Sequence, residues 1–230
     1  MKKQIFMVSL LLFFGFSLYA QPRVISEPRV LVEMSGEPML TPVWSQDGTK
    51  LFLNNGTMEV SVDGTDLREV AAPVDNLRRL RATAANPLLQ KMIDDAVNVA
   101  SQVRGLQSLS GNLIFNPVLS PTGDKIVFQA GNKGMFVINT NGSGLRSLGL
   151  RAERATWTAD GKYVVVMQTE DDGRFFTKGE LKSINVATGA QSVLFSSEKF
   201  ITLSPAISPD GKRLAFSDFM SGAIYIMDIQ

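Results

Sequence analysis

Four times along the chain a tight turn leads directly into a short apolar strand, and this recurrence limits the fold more than any other feature. The fullest copy is Ser208-Pro209-Asp210-Gly211-Lys212 before Arg213-Leu214-Ala215-Phe216. The others are Ser45-Gln46-Asp47-Gly48 before Leu51-Phe52-Leu53, Ser120-Pro121-Thr122-Gly123 before Ile126-Val127-Phe128, and Thr158-Ala159-Asp160-Gly161 before Val164-Val165-Val166. Proline presets φ, aspartate bonds the backbone two residues on, and glycine takes the positive φ that ends the turn. Self-similarity on this scale predicts stacked sheets.

Strand signals recur in the same order around each copy. Pro42-Val43-Trp44, Leu51 to Leu53, Met58 to Val62 and Leu67 to Val70 form a first set. Pro117 to Leu119, Lys125 to Gln129, Met135 to Ile138 and Leu145 to Leu148 form a second, and Ala155 to Trp157, Tyr163 to Met167, Leu181 to Ile184 and Ser192 to Phe195 a third. The fourth set has Pro205 to Ile207, Arg213 to Phe216 and Ile224 to Met227, and lacks its last strand. Near the other end, Arg29 to Met34 is a strand with no hairpin partner. An unpaired sheet edge is a liability, so this orphan is expected to return as the outer strand of the fourth sheet. The alternative is an open arc completed by a second chain.

The Pro-x-Trp/Ile-Ser-Pro-Asp-Gly-Lys pattern, followed by Leu214-Ala215-Phe216 and Ile224-Tyr225-Ile226-Met227-Asp228, resembles the repeat of TolB-type, WD-like β-propellers. The third copy departs from it, with Ala155 and Ala159 in place of proline. The resemblance implies an all-β propeller, and the four repeats with the orphan strand predict a small one of four blades, closed by the N-terminal strand. One inserted amphipathic helix interrupts it. Propellers serve many roles, so the fold leaves the function open.

The organisation expected is residues 1–20 as signal peptide, 21–38 as an N-terminal segment with the closing strand, and 39–230 as the propeller with an insert at 73–111. Lys2 and Lys3 precede an apolar run from Ile5 to Ala20, too short to span a bilayer and suited to secretion, with cleavage after Ala20. Leu18 is larger than such a site prefers, which leaves an uncleaved anchor as the alternative. Within the insert, Asn86 is an N-cap, Pro87 a first helical residue and Gly105 a stop. Leu88, Leu89, Met92, Ile93, Ala96, Val97, Ala100 and Val103 then share one face of a helix of about 18 residues. That stripe is expected to cover an edge or channel mouth of the propeller; the alternatives are that it docks a partner or lies on a membrane, of which protein contact is the better supported.

Composition excludes several chemistries. The 230 residues contain no cysteine and no histidine, so disulfides, thiolate sites, Ser-His-Asp triads and His-rich zinc sites are out of reach. Lysine plus arginine number 23 against 22 acidic residues, which gives no field to attract nucleic acid. No cofactor motif is present: the glycine-rich stretches at 131–134 and 141–144 do not open helices, as a phosphate loop requires. Glu170, Asp171 and Asp172 lack the twelve-residue pattern of a calcium loop and are expected to form a solvated turn. Trp44 and Trp157 occupy one register that holds Leu119 and Ile207 elsewhere, so they read as core.

In an antiparallel four-stranded blade the Asp-Gly and Asn-Gly turns share one face, and the variable loops share the other. Binding is expected on the variable face. The candidates are Arg78, Arg79, Arg81 and Lys91 at the insert, Asp171, Asp172 and Arg174 in the 170–174 loop, and Phe219. Arg151 and Arg154, placed before the inner strand of the third blade, join them. The resemblance implies an anionic contact there, because relatives hold ligands at the channel. The function expected is a secreted or periplasmic, non-enzymatic protein-interaction scaffold with an envelope or secreted protein partner, monomeric or dimeric, touching membrane only through partners or an uncleaved signal. A small-ligand, glycan or peptide binder, or a propeller gating a separate hydrolase, are the alternatives.

Overall fold

The protein is described by a computed structural model covering residues 21–33, 41–53, 58–69 and 114–230. Among the described residues sixteen strands form four four-stranded antiparallel sheets. Blade 1 holds β2 (Val43–Trp44), β3 (Lys50–Leu53), β4 (Met58–Ser61) and β5 (Arg68–Glu69). Blade 2 holds β6 (Ile114–Leu119), β7 (Lys125–Ala130), β8 (Met135–Asn139) and β9 (Arg146–Ser147). Blade 3 holds β10 (Glu153–Trp157), β11 (Tyr163–Asp171), β12 (Phe176–Asn185) and β13 (Gln191–Ser196). Blade 4 runs β14 (Thr202–Ile207), β15 (Arg213–Asp218), β16 (Ile224–Asp228) and then β1 (Arg29–Val32), the N-terminal strand taking the outer place. The closing strand is thus supplied by the same chain, with Arg29 opposite Ile226 and Val30 opposite Tyr225. Pairing continues beyond it: Arg23 and Gln230 exchange backbone hydrogen bonds of 3.0 and 2.9 Å.

The repeated turn works as its chemistry dictates. In every copy a Ser or Thr hydroxyl at the end of the inner strand bonds the carboxylate downstream: Ser45 to Asp47, Ser120 to Asp124, Thr158 to Asp160 and Ser208 to Asp210. The same oxygen accepts the amide that opens the next strand, from Lys50, Lys125, Tyr163 and Arg213. Asp47 is thereby held at a pKa of about 2, first by the Ser45 hydroxyl and then by the amide and hydroxyl of Thr49. These aspartates are committed to the turns.

The core lies between blades. Val127, Val137, Trp157, Val164 and Ile184 bury one another between blades 2 and 3. Val165, Leu181, Leu203, Phe216 and Met227 do so between blades 3 and 4. Leu31, Val32, Leu51, Val60, Ala215 and Ile226 join blade 4, through its closing strand, to blade 1. Hydrogen bonds between inner strands repeat the order. Trp157 Nε1 donates to Val118 O at 3.0 Å, Ile207 N to Thr156 Oγ1 at 3.1 Å, and Trp44 Nε1 to Ala206 O at 2.9 Å. Trp157 is a buried core residue and Trp44 a half-buried one packed against the core, and each rivets neighbouring blades. The expected helix, the rest of the 73–111 insert and the expected leader lie outside the described residues. A Cβ added at Gly123, the blade 2 turn glycine, would meet nothing within 4 Å, whereas one at Gly48, Gly161 or Gly211 would touch the turn of another blade, at Pro209, Thr122 or Ala159.

Two local expectations are corrected. The 170–174 loop is the tip of a long hairpin, because Thr169, Glu170 and Asp171 stay paired with Gly179, Lys178 and Phe176. The polar composition of these residues hides their strand character, and the Glu170–Lys178 ion pair at 3.6 Å helps to hold it. Arg154 lies inside β10, not before it, since the strand begins at Glu153.

Candidate binding face

The inner strands of blades 2, 3 and 4 carry one irregularity at the same place. Asn116, Arg154 and Ser204 have φ of 48°, 51° and 49°, and pairing slips there in all three blades. Left-handed backbone at a residue other than glycine stores strain, and such strain gathers at functional sites. The equivalent position in blade 1 is Thr41, and Arg154 Nη1 reaches across from blade 3 to its hydroxyl, at 3.5 Å. A polar quartet thus marks the inner strands at the end from which the variable loops emerge. Ser204 is buried, and its amide is spent on the Met167 sulfur at 3.3 Å. Arg154 is the exposed, charged member. The signal was legible in the repeats as a polar residue immediately before the inner-strand proline or alanine, though sequence reasoning passed over Thr41, Asn116 and Ser204.

On the same face a cleft of about 390 Å3 opens between blades 2 and 3. Arg151, Ala152 and Glu153 line it from the link into β10, Gln129, Gly131 and Gly134 from the β7–β8 turn, and Met167, Thr169 and Asp171 from β11. The turn is held by close backbone packing. A side chain at Gly134 (φ 98°) would run into the Leu150 carbonyl, and that carbonyl accepts the Met135 amide at 2.9 Å. The fold therefore unites Arg151 and Asp171, which are 20 positions apart, and adds Glu153, Gln129 and Thr169, which the sequence did not single out.

The hairpin beside it ends in a braced aromatic. Asp172 accepts from the amides of Arg174 and Phe175 at 2.9 and 2.8 Å, and these bonds, that of Phe175 foremost, hold its carboxyl below the ordinary range. Asp171 accepts from the Gly173 amide, and the Arg174 guanidinium lies 5.0 Å from the centre of the Phe175 ring. Phe219 is half-buried, edge-on to Phe176 at 5.3 Å, so it packs the hairpin against blade 4. The exposed groups are the residues beside these two in sequence: Phe175, next to Phe176, is 53% and Met220, next to Phe219, 71% accessible. Phe175 lies in the turn just before β12, whereas Phe176 opens the strand opposite Asp171, and only the pairing tells which of the two is packed. Arg78, Arg79, Arg81 and Lys91 fall outside the described residues. Among the described residues no three acidic groups converge to hold a metal ion.

Four sheets of this order, one of them completed by the opposite end of the chain, define a small four-bladed β-propeller. No family model matches the chain, and no curated protein matches it. Among solved structures it is similar to a TolB-designated protein of Agrobacterium tumefaciens, with a TM-score of 0.39 and 17% identity over 86% of this chain and 60% of that one. It is similar also to an oligogalacturonate lyase of Vibrio parahaemolyticus (TM-score 0.39, 12% identity, 78% of this chain and 45% of that one). A third is the β-propeller domain of Cps50 (Swd1) from Myceliophteria thermophila (TM-score 0.37, 13% identity, 82% of this chain and 50% of that one). The chain spans 45% to 60% of the length of these structures. The propeller assignment stands on the strand order.

Proposed function

We propose that the protein is a secreted or periplasmic, TolB-like propeller that acts as a non-enzymatic scaffold for a protein partner. The observation that carries the reading is the exposed pair Phe175 and Met220 on a rigid support. Large apolar side chains on adjoining loops, rimmed by Arg174, Asp171 and Asp172, have the composition of a contact patch: an apolar centre with a polar margin. The Asp172 cap and the Phe176–Phe219 contact fix the hairpin beforehand, so docking orders few side chains and retains more of its contact energy. The basic, apolar start of the sequence supports export. A scaffold role is consistent with a chain that has neither histidine nor cysteine for nucleophilic or general-base work at neutral pH.

The test is affinity capture from a cell-envelope fraction with the unmodified chain and with the Phe175→Ser, Met220→Ser double variant. Both sites are exposed, so the variant should keep its melting temperature and lose the partner at least tenfold. Undiminished capture by the double variant would refute the assignment of this patch.

A further inference from the structure

The cleft between blades 2 and 3 has a charge arrangement that the scaffold reading does not use. Among the described residues, Arg151 and Glu153 form no ion pair and no side-chain hydrogen bond, with each other or with any neighbour. Their charged heads are therefore not spent on one another, although both face the same cleft. Residues two apart on extended backbone lie roughly 7 Å apart. A guanidinium and a carboxylate rooted at that backbone spacing suit a ligand that bears an ammonium and a carboxylate group on one carbon. Asp171 adds a second carboxylate in the same cleft, and Gln129 and Thr169 bring an amide and a hydroxyl with no side-chain partner of their own among the described residues.

We infer that this cleft binds a small zwitterion of the α-amino-acid class, with Arg151 holding the carboxylate and Glu153 together with Asp171 holding the ammonium group. The inference goes beyond the scaffold reading and does not rest on it. A guanidinium is the side chain best shaped to take a carboxylate in two parallel bonds, and charge-assisted bonds to both ends of one ligand are about twice as strong as neutral ones. The cleft, at about 390 Å3, is at the small end of ligand sites, which run from roughly 300 to 1,000 Å3. No aromatic ring lines it, so a sugar or nucleobase would find no stacking surface. Gln129 and Thr169 suit a ligand whose own side chain is short and polar. The floor beneath is backbone at Gly131 and Gly134, and a Cβ at Gly134 is forbidden by the Leu150 carbonyl.

Isothermal titration of the purified chain with glycine, L-alanine and L-glutamine tests this, alongside N-acetyl-L-glutamine and L-glutaminamide, each of which has lost one charge. Saturable one-to-one binding is expected for at least one free amino acid, and at least tenfold weaker binding for both blocked forms. Arg151→Met and Glu153→Gln should each weaken the free ligand tenfold or more while leaving the melting temperature of the unliganded protein unchanged, both side chains being exposed. If a variant fails to fold, Arg151→Lys, which keeps the charge and loses the fork, must still weaken binding of the free acid. No saturable heat with any of the three amino acids, equal binding of blocked and free forms, or undiminished binding by Arg151→Met would each overturn the inference. The Phe175 and Met220 double variant should bind the amino acid normally, so the two proposals fail separately.

Discussion

Replacing each tryptophan in turn by phenylalanine asks whether blade 1 is fastened to blade 4 as firmly as blade 3 is to blade 2. The two indoles make the same bond, Trp157 to Val118 O at 3.0 Å and Trp44 to Ala206 O at 2.9 Å. The first links blades adjacent in sequence; the second spans 162 positions and depends on the terminal sheet being in place. Trp→Phe removes the donor and strands a carbonyl, a loss of about 1–3 kcal/mol where the site is shielded from water. Trp157 is 6% exposed, so its loss should lie well inside that range, at about 2 kcal/mol. Trp44 is half-buried, which lowers the hydrogen-bond loss, but the Arg213 guanidinium lies 4.9 Å from its ring, and a weakened cation–π contact restores roughly 0.5 kcal/mol. Both variants should therefore lose about 2 kcal/mol, which is roughly 4–8 °C in melting temperature for a chain of this length. Calorimetry supplies the assay, with one transition shifted by similar amounts in the two variants. If Trp44→Phe leaves the midpoint in place while Trp157→Phe lowers it, the bond across the terminal sheet carries no load and the reasoning fails. Two transitions in Trp44→Phe would show blade 1 melting alone, which also contradicts it.

Gly134 and Gly173 separate backbone strain from steric collision. Both have positive φ, 98° and 89°, but a Cβ at Gly173 meets nothing within 4 Å, whereas one at Gly134 meets the Leu150 carbonyl. Gly173→Ala should cost only the left-handed penalty of about 1–2 kcal/mol, and Gly134→Ala distinctly more, as read by urea midpoints; equal costs would contradict the packing described. Acid should destabilise the protein late. Asp47, with a pKa of about 2, and Asp210 and Glu59, also lowered, bind protons more weakly folded than unfolded. The Ser208 hydroxyl is the chief cause at Asp210, and Lys50 followed by Arg68 at Glu59. Their contribution is complete above the unfolded carboxylate value of about 4 and is lost as pH falls through the folded values. With no histidine in the chain, the urea midpoint should stay level from about pH 7 to 5 and fall between about 4 and 2. A drop above about pH 5 would refute this account.

The four turns, the strand order and the return of Arg29 to the last sheet follow from the sequence because short-range forces govern them. Proline, aspartate and glycine fix a turn within four residues, and an apolar run beside it has one way to be buried. Even the closure was foreseeable, since a sheet with three strand signals needs a fourth and one unpaired strand was on hand. The length of the β11–β12 hairpin was not, because Thr169, Glu170 and Asp171 look like loop residues until cross-strand partners make them strand. Nor could sequence distinguish Phe175 from Phe176, or separate Phe219 in its packed place from Met220 beside it in water. Arg151 was marked as a candidate for its place before an inner strand, and Asp171 for its place in a variable loop. That they share a cleft with Glu153, and that no neighbour neutralises Arg151 or Glu153, depends on how two blades lie against each other. Local sequence thus determined the blades, since their turns and strands are short-range. The binding face was decided by inter-blade packing, which brings together side chains from separate strands and which no segment encodes alone.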